Sequence, residues 1–255
     1  MNTERCNRCT VSITTCLYER GEFLPNLIQQ IKNQDYPHAL LFWLILDDSK
    51  EPNPIFQGYP QRTDSTGRVV FDLDGIAVYY YHLPVKQPLG LKRTALNGQC
   101  QGDYIAIFDD DDYYPPSRIS SSVRALGQNP GYAIAGCSRM YMYFTGQKTI
   151  YQIGPYGPNH ATAASLIYTR AYAQTHAFKP ENQAEEGAFT NGWTEPLLQL
   201  DPRQTLLAMA HGKNTINKEQ FLGPHYLGRL IHVTPLNLVD FIQEPDVLEF
   251  FLKKE

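Results

Sequence analysis

The five residues 104–108, YIAIF, run straight into four aspartates, Asp109 to Asp112, and this junction constrains the chain more than any other feature. The apolar run is β-branched and aromatic with no charge in it, which suits a strand covered on both faces. Its carboxyl end then carries four like charges. Neighbouring carboxylates repel, so a folded chain tolerates them when they are solvated, partly protonated or neutralised by a cation. In open α/β sheets, ligands bind beyond the carboxyl ends of the strands, so these acids are expected to face a crevice. Alternation along an extended backbone predicts Asp109 and Asp111 on one side and Asp110 and Asp112 on the other. Clustered carboxylate oxygens are the ligands of a hard divalent cation such as Mg²⁺, Mn²⁺ or Ca²⁺.

The flanking sequence alternates strand-like and helix-like segments. VSITTCL (11–17) reads as a strand, and EFLPNLIQQIKNQ places Phe23, Leu24, Leu27, Ile28 and Ile31 at helical spacing. LLFWLILDDS (40–49) is a second buried strand that also ends in acids, VYYYHL (78–83) a third, and LKRTALNGQCQ (91–101) a helix. This order predicts an α/β domain with a largely parallel sheet. Residues 51–75, rich in Pro, Gly and Asp, are expected to be an insertion or long surface loop. Beyond Pro130 the pattern changes to short strands (YAIAGCS, YMYF, TIYQIG), the loop GPYGPNH, and the small-residue segment ATAASLIYTRAY with a helix-like turn. LVDFIQ and VLEFFLKK suit a C-terminal helix, in a tail expected to serve as a linker or a dimer-forming helix.

The net charge of -4 gives no basic footprint for nucleic acid or anionic membrane. The apolar run 39–46 is too short to span a bilayer, and the N-terminus lacks the apolar core of a signal peptide, so a cytoplasmic protein is expected. Five cysteines do not suggest a disulfide framework. Cys6 and Cys9 form a lone CxxC in a polar tail, with no second ligand pair at zinc-finger spacing. Cys16, Cys100 and Cys137 sit in apolar surroundings as small core residues. An EF-hand starting at Asp109 would need Gly and Glu where Tyr114 and Ser120 stand. P-loop and GxGxxG patterns are missing.

The opening VSITTCLYERGEFLPNLIQQIKNQDYP, the stretch LGLKRTALNGQCQGDYIAIFDDDDYYPPSR, the segment AEEGAFTNGW and the run LLQLDPRQTLLAMAHGKNTINK together resemble inverting, family 2-like glycosyltransferases of the GT-A fold. That fold is a Rossmann-like, mostly parallel sheet with an appended acceptor-binding half. The wording is most similar to glycosyltransferases of large algal and amoebal DNA viruses. Thr94 stands where the family often has Asn, and Glu185-Glu186 where it has Glu-Asp. The resemblance implies a tail over 1–10, a nucleotide-sugar-binding half over 11–135, an acceptor-binding and catalytic-base half over 136–218, and a C-terminal helical tail over 219–255.

It further implies metal-dependent transfer of a sugar from a nucleotide diphosphate, UDP by preference, to a glycan hydroxyl with inversion. Mn²⁺ or Mg²⁺ would be held by Asp111, Asp109 and His211, with Asp110 on the ribose, Asp112 behind the site, and Asn214 and Thr215 near the phosphates. Arg20, Lys92 and Arg93 would meet phosphate; Thr15, Leu17 and Tyr18 would lie under the base; Asp48 would accept from the uracil N–H or a ribose hydroxyl. Ala164, in Ala163-Ala164-Ser165, would allow close approach of the donor sugar. Glu186 is the expected base with Glu185 as fallback, and Trp193 an acceptor platform. Two other readings fit an acidic metal site: a sugar-phosphate nucleotidyltransferase, and a non-catalytic metal-dependent carbohydrate-binding module.

Overall fold

The computed structural model of the chain describes residues 9–215 and 217–253. Its strands in chain order are β1 (Val11–Leu17), β2 (Leu41–Asp47), β3 (Gln61–Thr63), β4 (Val69–Leu73), β5 (Ile76–His82), β6 (Tyr104–Ile107) and β7 (Ile134–Gly136). They continue as β8 (Met140–Phe144), β9 (Thr149–Ile153), β10 (Ile167–Thr169), β11 (Leu198–Gln199), β12 (Leu207–Ala210) and β13 (Ile231–Val233). The α-helices are α1 (Leu24–Lys32), α2 (Leu89–Gln99), α3 (Arg118–Gln128), α4 (Arg170–Thr175), α5 (Glu186–Phe189) and α6 (Pro245–Lys253).

The larger sheet has the order β11-β7-β10-β6-β1-β2-β5-β4-β3. Its centre, β6-β1-β2-β5, is parallel throughout, as the alternation of apolar runs and helices requires. Both faces are covered: Ile13, Trp43, Ile45 and Val78 pack on one side with α1, and Leu44, Leu46, Ile105 and Ile107 on the other with Leu96 of α2. Each such side chain contributes about 1.5–3 kcal/mol by leaving water. α1 buries Leu24, Leu27, Ile28 and Ile31, the stripe read from the sequence, and Pro25 starts it where no intrahelical donor is needed.

Residues 51–75 differ from the expected loop. They hold the hairpin β3–β4, which extends the sheet antiparallel to β5; its outer strand is wholly exposed, leaving no apolar alternation to read. β10, also unexpected, runs antiparallel between β6 and β7. It is a three-residue strand, too short for a periodic signal.

A smaller sheet, β12-β8-β9-β13, stands beside the first. The C-terminal segment closes it: Leu238, Phe241, Ile242, Val247 and Phe251 pack with Tyr113, Ile150, Leu207 and Met209. The tail expected as a linker or a dimer-forming helix is therefore part of this core. Cys16, Cys100 and Cys137 are buried thiols, and burial pushes them up to about 11, 12 and 11. Cys6 lies outside the described residues. Among the described residues no helix is long and apolar enough to cross a membrane.

Candidate active site

β1 and β6 end beside each other, and a cavity of about 670 Å³ opens beyond them. It is lined by Tyr18 and Arg20 after β1, by Lys92 and Arg93 of α2, and by Asp109, Asp111 and Asp112 after β6. Ala163, Ala164, Glu185 and Glu186 form a second wall, and Lys213, Asn214, Thr215 and Lys218 a third.

β6 stops at Ile107, and the aspartates occupy a turn, so pleat alternation does not govern them. Tyr114 ties the turn down: its ring stacks on Phe108 at 4.1 Å and its hydroxyl accepts the Asp109 amide at 2.7 Å. Arg20 reaches two consecutive acids, with Nη2 2.7 Å from Asp110 Oδ1 and Nη1 2.7 Å from Asp111 Oδ2. Asp110 lies beneath the cavity instead of lining it, and no hydrogen bond of good geometry reaches either of its oxygens. Burial, then the charge of Asp111, raises its carboxyl well above the ordinary range. Asp112 is also buried and pushed up to about 7, with Oδ1 accepting the Met209 amide of β12. Asp111 goes the other way. Burial opposes its charge, but the His211 contact and Arg20 outweigh it and hold the carboxyl below the usual range.

Two of the three expected metal ligands meet: His211 Nε2 lies 3.2 Å from Asp111 Oδ2, and Asn214 Nδ2 donates to the same oxygen at 2.9 Å. Asp109 is instead bound by Arg93 Nη2 through both oxygens, at 3.0 and 3.2 Å. Among the described residues no three His, Cys, Asp or Glu side chains gather into a ready-made metal site. The donor chemistry still fits a divalent ion of the Mg²⁺ class, which takes one or two carboxylates and completes its shell with water and substrate phosphate. Asp111 meets that need directly. His211 Nδ1 accepts the Lys213 amide at 3.1 Å, which leaves the proton of the neutral ring on Nε2, facing Asp111. Ligation through Nε2 therefore requires the 211–215 turn to release Nδ1.

The other expected nucleotide contacts divide. Tyr18 lines the cavity with Lys86 Nζ 3.8 Å above its ring. Lys92 forms a buried pair with Asp48 at 2.6 Å and also donates to the Leu17 carbonyl at 3.2 Å; Asp48 accepts the Gln87 amide as well. Thr15 is fully buried as a brace, donating to the Phe108 carbonyl and accepting from Trp43 Nε1. Leu17 offers the site only its backbone. Arg93, expected on phosphate, has its donors turned to protein: Nε binds Glu185 Oε1 at 3.0 Å while Nη2 binds Asp109. Burial is the largest effect on this guanidinium and opposes its charge, but Asp109 and Glu185 overcome it and raise its pKa well above normal.

Arg93 thus joins the aspartate turn to the loop that carries the two glutamates. That loop is seated on α2: Gly90 and Leu89 amides donate to Glu181 O and Asn182 Oδ1, and Thr94 Oγ1, in the family's Asn position, accepts the Phe178 amide. A Cβ at Gly90 would stand 1.7 Å from the Lys179 carbonyl. Gly90→Ala is expected to push the loop off α2 and destabilise the fold by about 1–3 kcal/mol, read as a lower midpoint in urea. Ala184 just ahead of the glutamates takes a left-handed φ of 53°, unfavourable for an L-residue. Both following glutamates line the cavity, Glu185 paired with Arg93 and Glu186, starting α5, without a cationic partner of its own among the described residues. Burial, then the Glu185 charge, raises Glu186 to about 7, although the backbone amides of Glu186 and Ala163 favour its ionised form.

Trp193 stays off the cavity wall but packs on His160, ring centroids 4.3 Å apart, and His160 on Tyr156 at 4.8 Å. Sequence reading missed Lys86, Lys218, Tyr156 and His160. The last two stand in GPYGPNH, whose proline and glycine spacing marks a loop without showing where it lies.

A Rossmann-like, mostly parallel sheet with an acidic turn at its switch point and a carboxylate across the cavity is the architecture of the GT-A fold. The family model "Glycosyl transferase family 2" matches residues 12–179, and the chain belongs to that family. Among solved structures the chain is similar to the mannosyltransferase PcManGT from Pyrobaculum calidifontis in complex with GDP-Man and Mn²⁺, with a TM-score of 0.60 and 12% identity over 81% of this chain and 59% of that one. It is also similar to S. aureus TarS, at 0.56 and 15% over 78% of this chain and 36% of that one. For S. aureus TarS 1-349 in complex with UDP-GlcNAc the values are 0.55 and 13%, over 80% and 60%. The chain thus spans less than two thirds of the length of these neighbours.

Proposed function

We propose that the chain transfers a sugar from a UDP-sugar to a hydroxyl of a glycan acceptor with inversion, Glu186 being the base. The observation that carries this reading is the division of labour between the paired glutamates. Glu185 is neutralised by Arg93, while Glu186 meets the cavity beside the Ala163 amide with a carboxyl raised to about 7. A base with its pKa near the operating pH takes a hydroxyl proton most effectively. The Ala163–Ser165 turn has short side chains and lets the donor sugar approach the backbone. Tyr18 would lie under the nucleobase, and Lys218 would face the diphosphate. Asp111 and His211 would hold Mn²⁺ or Mg²⁺, which supplies charge neutralisation for the departing diphosphate.

Inversion is tested by proton NMR of the first-formed product, whose anomeric configuration must be opposite to that of the donor. Donor class is tested by thermal denaturation with UDP, GDP and CMP, each with and without Mn²⁺. A ligand at a hundred times its Kd stabilises the native state by about 2.7 kcal/mol. UDP with Mn²⁺ is expected to give the largest rise in Tm, and Asp111→Asn to remove the metal-dependent part. A larger rise with GDP would retain the reaction and change the donor.

A further inference from the structure

A second cavity, of about 460 Å³, lies next to the first. Arg139, Pro155, Tyr156, Pro158, Gln199 and Pro202 are among its walls, and Tyr156 lines both cavities. The loop between them is held rigidly. Ser138 Oγ accepts the amides of Tyr156 and Gly157 at 2.8 and 2.9 Å. Gln199 Nε2 donates to the carbonyls of Pro158 and His160, and its Oε1 accepts the Ser138 amide. Gly154 enters the loop at φ +80°, where a Cβ would lie 2.1 Å from the Ser138 carbonyl. Ser138 and Gln199 hold the loop through four hydrogen bonds and are themselves joined by a fifth, so Tyr156 is presented with little ordering cost at binding.

The chemistry of these walls suits a sugar. Aromatic and proline rings offer flat apolar surface to the C–H face of a sugar ring, while an exposed guanidinium beside them offers paired donors to its oxygens. Tyr156 and His160 line the main cavity together with Ala163 and Glu186, and Trp193 extends the aromatic row from His160. Burial lowers the His160 pKa, keeping the ring neutral in this row. The nucleotide end of the main cavity, at Tyr18 and Lys86, is formed by other elements.

We propose that the second cavity is a distal acceptor subsite, so that the acceptor is an oligosaccharide of at least two units. Its terminal unit rests on Tyr156 and His160, which share the main cavity with Glu186 and have Trp193 packed behind His160, and the following unit enters the cavity with Arg139. This rests on the glycosyltransferase reading above and narrows its acceptor class.

The test uses the protein's own fluorescence. Of its two tryptophans, Trp43 is fully buried and Trp193 stands in the row. Cello-, chito-, malto- and manno-oligosaccharides of one to four units are titrated against the full chain with UDP and Mn²⁺. The expected result is a series whose Kd falls at least tenfold from one unit to two. Arg139→Ala should remove that gain, leaving Tm and single-unit binding unchanged. A Kd independent of length, a gain that survives Arg139→Ala, or no binding in any series overturns the proposal. The rise in Tm with UDP and Mn²⁺ is measured on the same samples. If it is present and length dependence is not, the subsite alone fails; if it is missing, the glycosyltransferase reading fails with it.

Discussion

Glu186→Gln is expected to lower kcat by about 10²–10⁴-fold, the contribution of a positioned general base, with UDP and Mn²⁺ binding retained. The amide keeps the shape of the side chain and loses only its capacity to take a proton. In the native chain kcat/KM should rise with pH through about 7, because the carboxyl must be ionised to act and burial holds its pKa there. In Glu186→Gln that limb of the profile should vanish. Stability gives an independent readout. A carboxyl whose folded pKa exceeds its unfolded value contributes stability at low pH that is lost as pH rises through the folded pKa. Glu186→Gln should therefore raise Tm more at pH 8 than at pH 5. An unchanged kcat would transfer the role of base away from Glu186, and an unchanged Tm difference would argue against its burial.

Arg93→Ala should produce the largest loss of stability, about 3–5 kcal/mol, the range for removing one partner of a buried ion pair. The guanidinium is 4% exposed and stands between Asp109 and Glu185. Without it Glu185 keeps its burial and loses its counter-charge, and Asp109, partly exposed, loses its bridge, so the aspartate turn and the glutamate loop separate. Arg93→Lys should recover only part of the loss, because one ammonium cannot reproduce a fork with two directed arms. Urea denaturation of the three proteins at pH 7 checks this. A loss below about 1 kcal/mol, the level of an exposed pair, would show that the bridge carries little.

The parallel core, α1 and the acidic ends of β2 and β6 are legible in the sequence because each is local: an apolar run, a 3.6-residue stripe, a charge beside a strand. The same holds for Glu185-Glu186, an acidic pair in a motif. Arg93 shows the limit. A cation on a helix face is compatible with phosphate or carboxylate, and only the approach of two distant acids, one in the turn after β6 and one ninety-two residues away in sequence, fixes its partners. Lys92 and Asp48 follow the same logic. The aspartate run was open to a pleat reading, but the strand ends at Ile107 and the turn lets one guanidinium touch both Asp110 and Asp111.

By itself, then, the sequence determined the fold class and the placing of an aspartate run at the end of a central strand. Hydrophobic periodicity and charge placement act over a few residues and survive without knowledge of the rest. The tertiary structure alone decided which acids are neutralised and which face the cavity. It also decided that β10 enters the sheet, and that Tyr156, His160 and Trp193 form one row. Those outcomes depend on contacts between segments far apart in the chain, where burial and charge pairing set the energy and no local pattern records them.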